Sequence, residues 1–563
     1  MTQHAPSFHD LPPRGADAVP DARGVNLWRA DPVFARLLKL YVPDDLLAVL
    51  EPKLDRLGAL AGGELDRLAG IADRNPPSLQ HRNRRGEDAE HIDYHPAYRE
   101  MERLAFGEFG LAAMSHRPGV FGWPTPLPPA AKYALTFLFS QAEFGLLCPV
   151  NMTDSLAGAL RRLGSPDLVA RYLPALISQD LDTLHQGAMF LTEQGAGSDI
   201  AATAVTALPR QDGTYSLHGD KWFCSNADAD VVLVLARMQG GPPGLKGVSL
   251  FLMPRTLPDG TANALRIVRL KDKLGTRSMA SGEVRLEGAI AWLIGDPQAG
   301  FNQMAGMINS SRLSNGVRSA GLMRRAVQEA LFVARNRLAF GQRLIELPLM
   351  QRQLAKMLMR AEQARSMAFQ AADAMRKADD GDMPAKRLLR ILTPLLKFRA
   401  CRDARTVTGD AMEVRGGCGY IEEWSDPRLL RDAHLGSIWE GTSNVVALDV
   451  LRAAHKEGGL EALCTHVLGL LAEAPVEACA AALERASALL HRAHGNEALA
   501  RTAASALYHI ASAAMMAWEA ERLGDIHRAA LARMVLQHRV LPRDPLEDPA
   551  VDQTALRALL EAA

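Results

Sequence analysis

The apolar residues of this chain change their period twice, and no other feature constrains the fold as tightly. From residue 31 to about 186 they recur at helical spacing, as in Phe34, Leu37, Leu38 and Tyr41. Asn75-Pro76-Pro77 and the Pro-rich stretch 118–129 punctuate this run. From Gly187 the pattern shortens. Stretches 203–208, 215–218, 231–237, 248–253, 267–269 and 282–286 read as strands, with turn residues such as Gln211-Asp212-Gly213 and Pro258-Asp259-Gly260 between them. After Gly300 the helical period returns and persists to about Leu451; an Ala- and Leu-rich helical block follows, with a polar tail over 542–552. The predicted fold class is therefore α+β and multi-domain. A polar arm covers 1–30 and an N-terminal helical domain 31–186. A central antiparallel β-domain covers 187–298, a helical bundle domain 299–451 and an extra C-terminal helical module 452–563.

With 563 residues the chain buries a core without metal or disulfide staples. Lys plus Arg and Asp plus Glu both number 64, so no global field draws the molecule to nucleic acid or to a membrane. The six cysteines form no CxxC pair and no metal-type cluster, which predicts reduced, mostly buried thiols and no metal site. The Pro-, Asp- and Arg-rich start has no apolar signal region, and no run of 18 apolar residues exists. A cytoplasmic protein without membrane insertion is expected.

Five segments carry candidate chemistry. In 189–199, Gly195 and Gly197 with small hydroxyl residues allow close backbone approach to a flat or phosphorylated ligand. An ordinary turn entering the β-domain reads equally from this composition, and no P-loop or dinucleotide fingerprint is present. In 219–226, Trp222 and Phe223 beside Ser225 suit a stacked ligand with a polar edge, or simply fill a core. Arg337 through Gly341, with Gln351 downstream, reads as a phosphate-reaching helix or as a plain exposed Arg. Arg415-Gly416-Gly417-Cys418-Gly419-Tyr420 implies tight backbone approach to a ligand or another chain, or a helix–helix loop. In 437–444, Glu440 lies between Trp439 and Gly441. It is a candidate base, or an acid placed at a helix N-terminus.

The order of these segments carries more than each alone. Leu191-Thr192-Glu193-Gln194-Gly195-Ala196-Gly197-Ser198-Asp199, then R-x-x-F-G at Arg337, G-G-x-G-Y at Gly416 and W-E-G-T at Trp439 resemble the acyl-CoA dehydrogenase flavoprotein family over about residues 100–450. A narrower resemblance is to that family's AidB-type branch, the DNA alkylation-damage response flavoproteins. It rests on Asn75-Pro76-Pro77, Arg84-Arg85-Gly86, Tyr94-His95-Pro96-Ala97, Leu147-Cys148-Pro149, the stretch 257–275 and the extra C-terminal module.

The resemblance implies FAD held without a covalent bond. Met189, Leu191, Thr192, Gly197, Ser198, Phe223 and Ser225 would line it, with Ile438, Gly441, Thr442 and Asn444. Arg337, Phe340, Gln351, Gly416 and Gly417 match positions that reach the FAD of a neighbouring subunit, implying an oligomer, expected to be a tetramer. Phe223-Cys224-Ser225 departs from the family's usual W-I-T, which bears on how an electron-transfer flavoprotein meets the flavin edge. Glu440 matches the catalytic base, which takes the α-proton of an acyl-CoA while flavin accepts the β-hydride. The alternative base position holds Ser311, which cannot serve. The branch implies weak activity on short or branched acyl-CoA such as isovaleryl-CoA. It also implies duplex DNA binding, with Arg452 at a matching position. Residues 451–563, however, hold 11 Lys plus Arg against 14 Asp plus Glu, which lacks the usual basic stripe. A local basic patch can still form if Arg522, Arg528, Arg533 and Arg539 share a surface with Arg343 or Arg352. A third reading makes the module a scaffold that buries subunit surface.

Overall fold

The computed structural model describes residues 19–542, 544, 546 and 553–563. Asp31 starts the first helix, Pro32–Leu38, by accepting a hydrogen bond from the Phe34 N–H, and Pro32 fits the first turn, where no N–H partner is needed. Helices Asp44–Gly62, Glu64–Arg74, Pro96–Glu102, Pro129–Phe139, Leu147–Leu163 and Pro166–Leu176 complete the N-terminal part. Two corrections apply here. The arm is not uniformly polar, because Leu27 and Trp28 are buried; its residues 1–18 lie outside the described ones. The helical run also contains a hairpin, Ser78–Arg82 on Asp88–Asp93, turned at Gly86 with φ +81°. Both hairpin strands are polar and mostly exposed, so they carry no apolar period to read.

The central sheet has seven strands. Val231–Met238, Thr206–Pro209, Tyr215–Ser225, Ser281–Leu293 and Val248–Pro254 pair in that order, and the last pairs back to the first, closing a barrel. Leu265–Leu270 adds to Ser281–Leu293. The expectation of a purely antiparallel domain needs correction. Gly187–Phe190 and Thr206–Pro209 both run parallel to Val231–Met238. Each is separated from it by more than the dozen residues that a parallel crossover requires. Six of the eight residues of Val231–Met238 are fully buried, which explains why it reads as a continuous apolar run.

Three long helices, Gly300–Asn336, Pro348–Asp379 and Met383–Arg415, form the bundle. Gly321 lets the first cross Pro129–Phe139 closely: a Cβ there would stand 2.1 Å from the Ser140 hydroxyl and 2.5 Å from the Phe137 carbonyl. The C-terminal helices Gly459–Glu473, Cys479–Gly495, Ala500–Leu523 and Ile526–Arg539 pack on one another and on the bundle, and Gln553–Ala562 returns to lie along Pro348–Asp379. The polar tail over 542–552 lies largely outside the described residues.

A buried charge network joins the chain's two ends to the bundle. Arg528 reaches Glu362 and Glu519, each at 2.6 Å, and Arg365 reaches Asp31 at 2.6 Å. Tyr41 donates to Glu519 at 2.6 Å. Arg528 therefore cannot belong to a basic surface: it is 2% exposed. Arg522 is paired with Glu473 at 2.6 Å, and Arg539 lies 3.6 Å from Asp403. Arg528 thus drops out of the expected basic patch, and carboxylates beside Arg522 and Arg539 offset part of the remaining charge. Burial depends on partners some 160 residues away, which spacing in the C-terminal segment does not reveal.

Candidate active site

Helix Asp426–Gly436 ends in a loop that carries Trp439 and Glu440 into helix Ser443–Lys456. Glu440 has φ +54° and Gly441 φ +101°. A carboxylic residue in the left-handed region is uncommon and needs external support. Four side chains supply it. Arg312 Nε donates to the Glu440 carbonyl at 2.9 Å and its Nη1 lies 2.8 Å from Asp449. Lys397 Nζ donates to the Gly441 carbonyl, and burial pushes that amine down. The Glu440 carboxylate itself accepts from the Ser311 hydroxyl and, at 3.1 Å, from Asn315 Nδ2. Ser311 and Asn315 are one helical turn apart on Gly300–Asn336 and so share a face. Ser311 thus stands at Glu440 as a donor that orients the carboxylate.

Phe144 stacks on Trp439 with centroids 5.9 Å apart, and Cys148 lies nearby, its thiol pushed up to about 12 by burial. The charges of Arg318, Glu440 and Lys273 act on this thiol more weakly than burial does. Barrel and bundle domain meet where the Thr276 N–H donates to Asp432. Sequence reasoning missed Arg312, Asn315 and Lys397. The available signal was a few strongly polar residues on the apolar faces of long helices.

On the barrel side, strand Gly187–Phe190 delivers Met189, half-buried, into a turn closed by mutual hydrogen bonds between Glu193 and Ala196. Glu193 is not a ligand residue. It accepts from the Ala204 and Val205 N–H groups and pairs with buried Lys221 at 2.7 Å, which fixes the turn. Leu191 and Thr192 are half-buried, and Gly197 and Ser198 are exposed. A Cβ on Gly195 or Gly197 would meet nothing within 4 Å, so the turn presents open backbone. The Thr192 carbonyl accepts from Trp222 N–H at 2.8 Å, which places strand Tyr215–Ser225 beside it. Along that strand Phe223 is 58% exposed and Cys224 fully buried, as alternation requires. Lys271 Nζ sits 3.4 Å from the Trp222 ring centroid. An uncovered ring beside open backbone and Ser225 fits a flat ligand with a polar edge.

A cavity of about 240 Å³ opens beside this strand, lined by Pro76, Pro77, Lys271, Lys273, Arg277 and Ser281. Burial lowers Lys273 to about 8. Below it Asp432 accepts from the Thr276 N–H, and burial, then Glu143, raises its carboxyl to about 7. The folded state therefore holds this proton more tightly than the unfolded chain. The resulting stabilisation is complete below the ordinary value of 3.8 and is lost as pH rises to 7 and above. Asp432→Asn should raise the apparent melting midpoint at pH 8 by a few degrees and leave it nearly unchanged at pH 4. Equal shifts at both pH values contradict this assignment.

A third group lies apart. Arg337 Nη1 donates to the Arg415 carbonyl at 3.1 Å, next to Gly416, and Gln351, 4% exposed, donates to the Ile345 carbonyl at 3.0 Å. Gly416 has φ +76°, and a Cβ on Gly417 would meet nothing. Phe340, at φ +54°, is 91% exposed. Among the described residues no hydrogen bond joins this group to Thr192 or Glu440. Ile438, Thr442 and Asn444 are exposed around Glu440. Arg452 is exposed and lies 3.6 Å from Asp449, the carboxylate that also anchors Arg312.

Comparison with known proteins matches this arrangement. Residues 17–183 fit the family model described as adaptive response protein AidB N-terminal domain. Residues 188–289 fit acyl-CoA dehydrogenase, middle domain, and 298–455 fit acyl-CoA dehydrogenase, C-terminal domain. The AidB protein of Escherichia coli is 37% identical over 436 residues, covering 75% of each chain. Acyl-CoA dehydrogenase family member 11 of Caenorhabditis elegans is 33% identical, covering 80% of this chain and 74% of that one. The solved structure of Caenorhabditis elegans ACDH-11 in complex with C11-CoA superposes with TM-score 0.87 at 29% identity, covering 96% and 95%. Bd2924 in its apo form gives 0.81 at 32% identity, covering 89% and 99%. A barrel with an uncovered aromatic strand, a glutamate cradled on the facing helices and these three matched segments place the chain in the acyl-CoA dehydrogenase family, in its AidB-like branch.

Proposed function

We propose that this protein is an FAD-dependent oxidoreductase that removes hydrogens from the α and β carbons of a short or branched acyl-CoA, with Glu440 as the base. The observation that carries the reading is the Glu440 cradle, in which the loop is held in left-handed geometry by Arg312 and Lys397 and its carboxylate is aimed by Ser311 and Asn315. A thioester acidifies its α-C–H, and Glu440 takes that proton. The Glu440 N–H is the protein donor available to the enolate oxygen. FAD, when bound, supplies the hydride acceptor.

The residues present fit that cofactor. The open backbone at Gly195 and Gly197 and the exposed Phe223 ring offer a platform for a flat ring system. On the bundle side, Ile438, Gly441, Thr442 and Asn444 complete the set. Arg337, Phe340, Gln351, Gly416 and Gly417 serve the FAD of a second copy, within a tetramer. Support comes from the exposed apolar residues around them: Phe340, Leu349 at 80%, and Tyr420 at 80%. An electron-transfer flavoprotein is the acceptor we propose. That the ACDH-11 structure holds C11-CoA supports a CoA thioester as substrate. Slow turnover is part of the proposal, with the Phe144–Trp439 stack beside Glu440 as the group that would limit the acyl chain. We also propose that the five segments bounded at residues 30, 186, 298 and 451 are the working domains.

Arg337→Leu tests the cofactor and oligomer readings together. The wild-type protein should carry about one FAD per chain, released by denaturation, and the variant should lose most of it. A colourless wild-type protein contradicts the reading. Duplex DNA binding stands as the second reading, favoured only by the exposed Arg452. It predicts affinity that falls steeply with salt. With Arg528 buried and Arg522 paired, binding should be weak at physiological salt.

A further inference from the structure

Helix Gly300–Asn336 carries a third polar residue on the face that holds Ser311 and Asn315. Arg318 follows at the next helical step, and it is fully buried, 0% exposed. Its guanidinium lies 5.0 Å from the Trp439 ring centroid and 5.2 Å from that of Phe144. Its one hydrogen bond is a long one, from Nε to the Ser314 carbonyl at 3.4 Å. Among the described residues Nη1 and Nη2 have no hydrogen-bond partner, and neither does the Trp439 indole Nε1. Arg318 makes no ion pair among the described residues. The nearby carboxylate of Glu440 is taken by Ser311 and Asn315.

This pattern differs from the other buried arginines. Arg324, Arg325, Arg365, Arg415 and Arg528 each meet at least one carboxylate. A buried guanidinium is retained where a partner satisfies it, because its charge is costly to desolvate alone. Here three orphaned donors, on two side chains in contact, border the residues that hold the proposed base. Trp439 precedes Glu440 in the same loop, so its ring sets the Arg318 guanidinium beside the residue whose carboxylate Asn315 holds. Among the described residues no carboxylate fills the gap.

We propose that Arg318 is a specificity residue of the acyl pocket and that it receives an anionic acyl terminus, the free carboxylate of a dicarboxylic acyl-CoA. This rests on the acyl-CoA reading above. Asn315 touches Glu440, and Arg318 lies three residues on, ~4.5 Å along the helix axis, which suits an acyl chain of about four to six carbons. The planar guanidinium pairs a carboxylate in two parallel hydrogen bonds, and the rings of Trp439 and Phe144 hold its plane.

The test is calorimetric binding under anaerobic conditions to the purified full-length protein. Glutaryl-CoA is compared with pentanoyl-CoA, which has the same chain length and no terminal charge, and with CoA alone. The wild-type protein should prefer glutaryl-CoA by at least about tenfold. Arg318→Met should bring the two ligands level, chiefly by weakening glutaryl-CoA, and Arg318→Lys should restore part of the preference. Equal or weaker binding of glutaryl-CoA by the wild-type protein overturns the proposal, whatever the variants do. So does a preference that survives Arg318→Met. If both thioesters bind no better than CoA, the acyl-CoA reading fails and this inference falls with it. If both bind better than CoA but equally, only the role of Arg318 fails.

Discussion

Glu440→Gln lowers the rate of flavin reduction by acyl-CoA by about 10²–10⁴-fold, the range expected when a positioned general base is removed. The amide keeps the shape of the carboxylate, and its oxygen can still accept from Ser311 or Asn315. The backbone contacts from Arg312 and Lys397 go to carbonyl oxygens and do not depend on the side chain's charge. FAD content and melting midpoint therefore stay near those of the wild-type protein, and binding of the thioester changes little. Rapid mixing without oxygen measures the reduction step directly. Wild-type reduction by the variant would remove Glu440 from the chemistry, whereas loss of FAD would show that the loop had collapsed and would call for a different substitution.

Arg528→Met produces the largest loss of stability we expect. The guanidinium satisfies Glu362 and Glu519 and receives nothing in return from solvent, being 2% exposed. Burial works against the Glu362 charge, but Arg365, Arg528 and Arg324 prevail and hold its carboxyl down at about 2. Removing one partner of such a pair leaves buried charge uncompensated and costs about 3–5 kcal/mol. Midpoints fall by several degrees, and because the network joins Asp31, the bundle and the C-terminal helices, the C-terminal module should loosen first. The double variant Arg528→Met, Glu519→Gln recovers part of the loss, since one stranded charge is gone. The depressed Glu362 value also sets a sign. Its stabilisation is present above its ordinary value of 4.5 and is lost as pH falls towards 2. A single variant as stable as wild type by calorimetry would show that the network contributes little.

The two changes of apolar period located helices, barrel and helices again, because burial on one face or both imposes those periods. Hairpin Ser78–Arg82 with Asp88–Asp93 escaped, since its one apolar pair, Leu79 and Ile92, is too little to set a period. The parallel pairings escaped because strand direction depends on the crossover, not on the strand's residues. Glu440 was legible from the motif around it. Its supports were not, because Arg312 and Lys397 act on backbone carbonyls from helices distant in sequence. Arg528 shows the reverse. Its charge suggested a surface, and the pairing with Glu362, 166 residues away, reveals a core.

The central claim is that cradle, barrel and cofactor form one working site. Anaerobic titration of the purified yellow protein with isovaleryl-CoA tests it most directly. The account predicts that the visible flavin band bleaches and that the α,β-unsaturated thioester forms in step with it. A flavin that stays oxidised with both isovaleryl-CoA and glutaryl-CoA, although the thioesters bind, would contradict it.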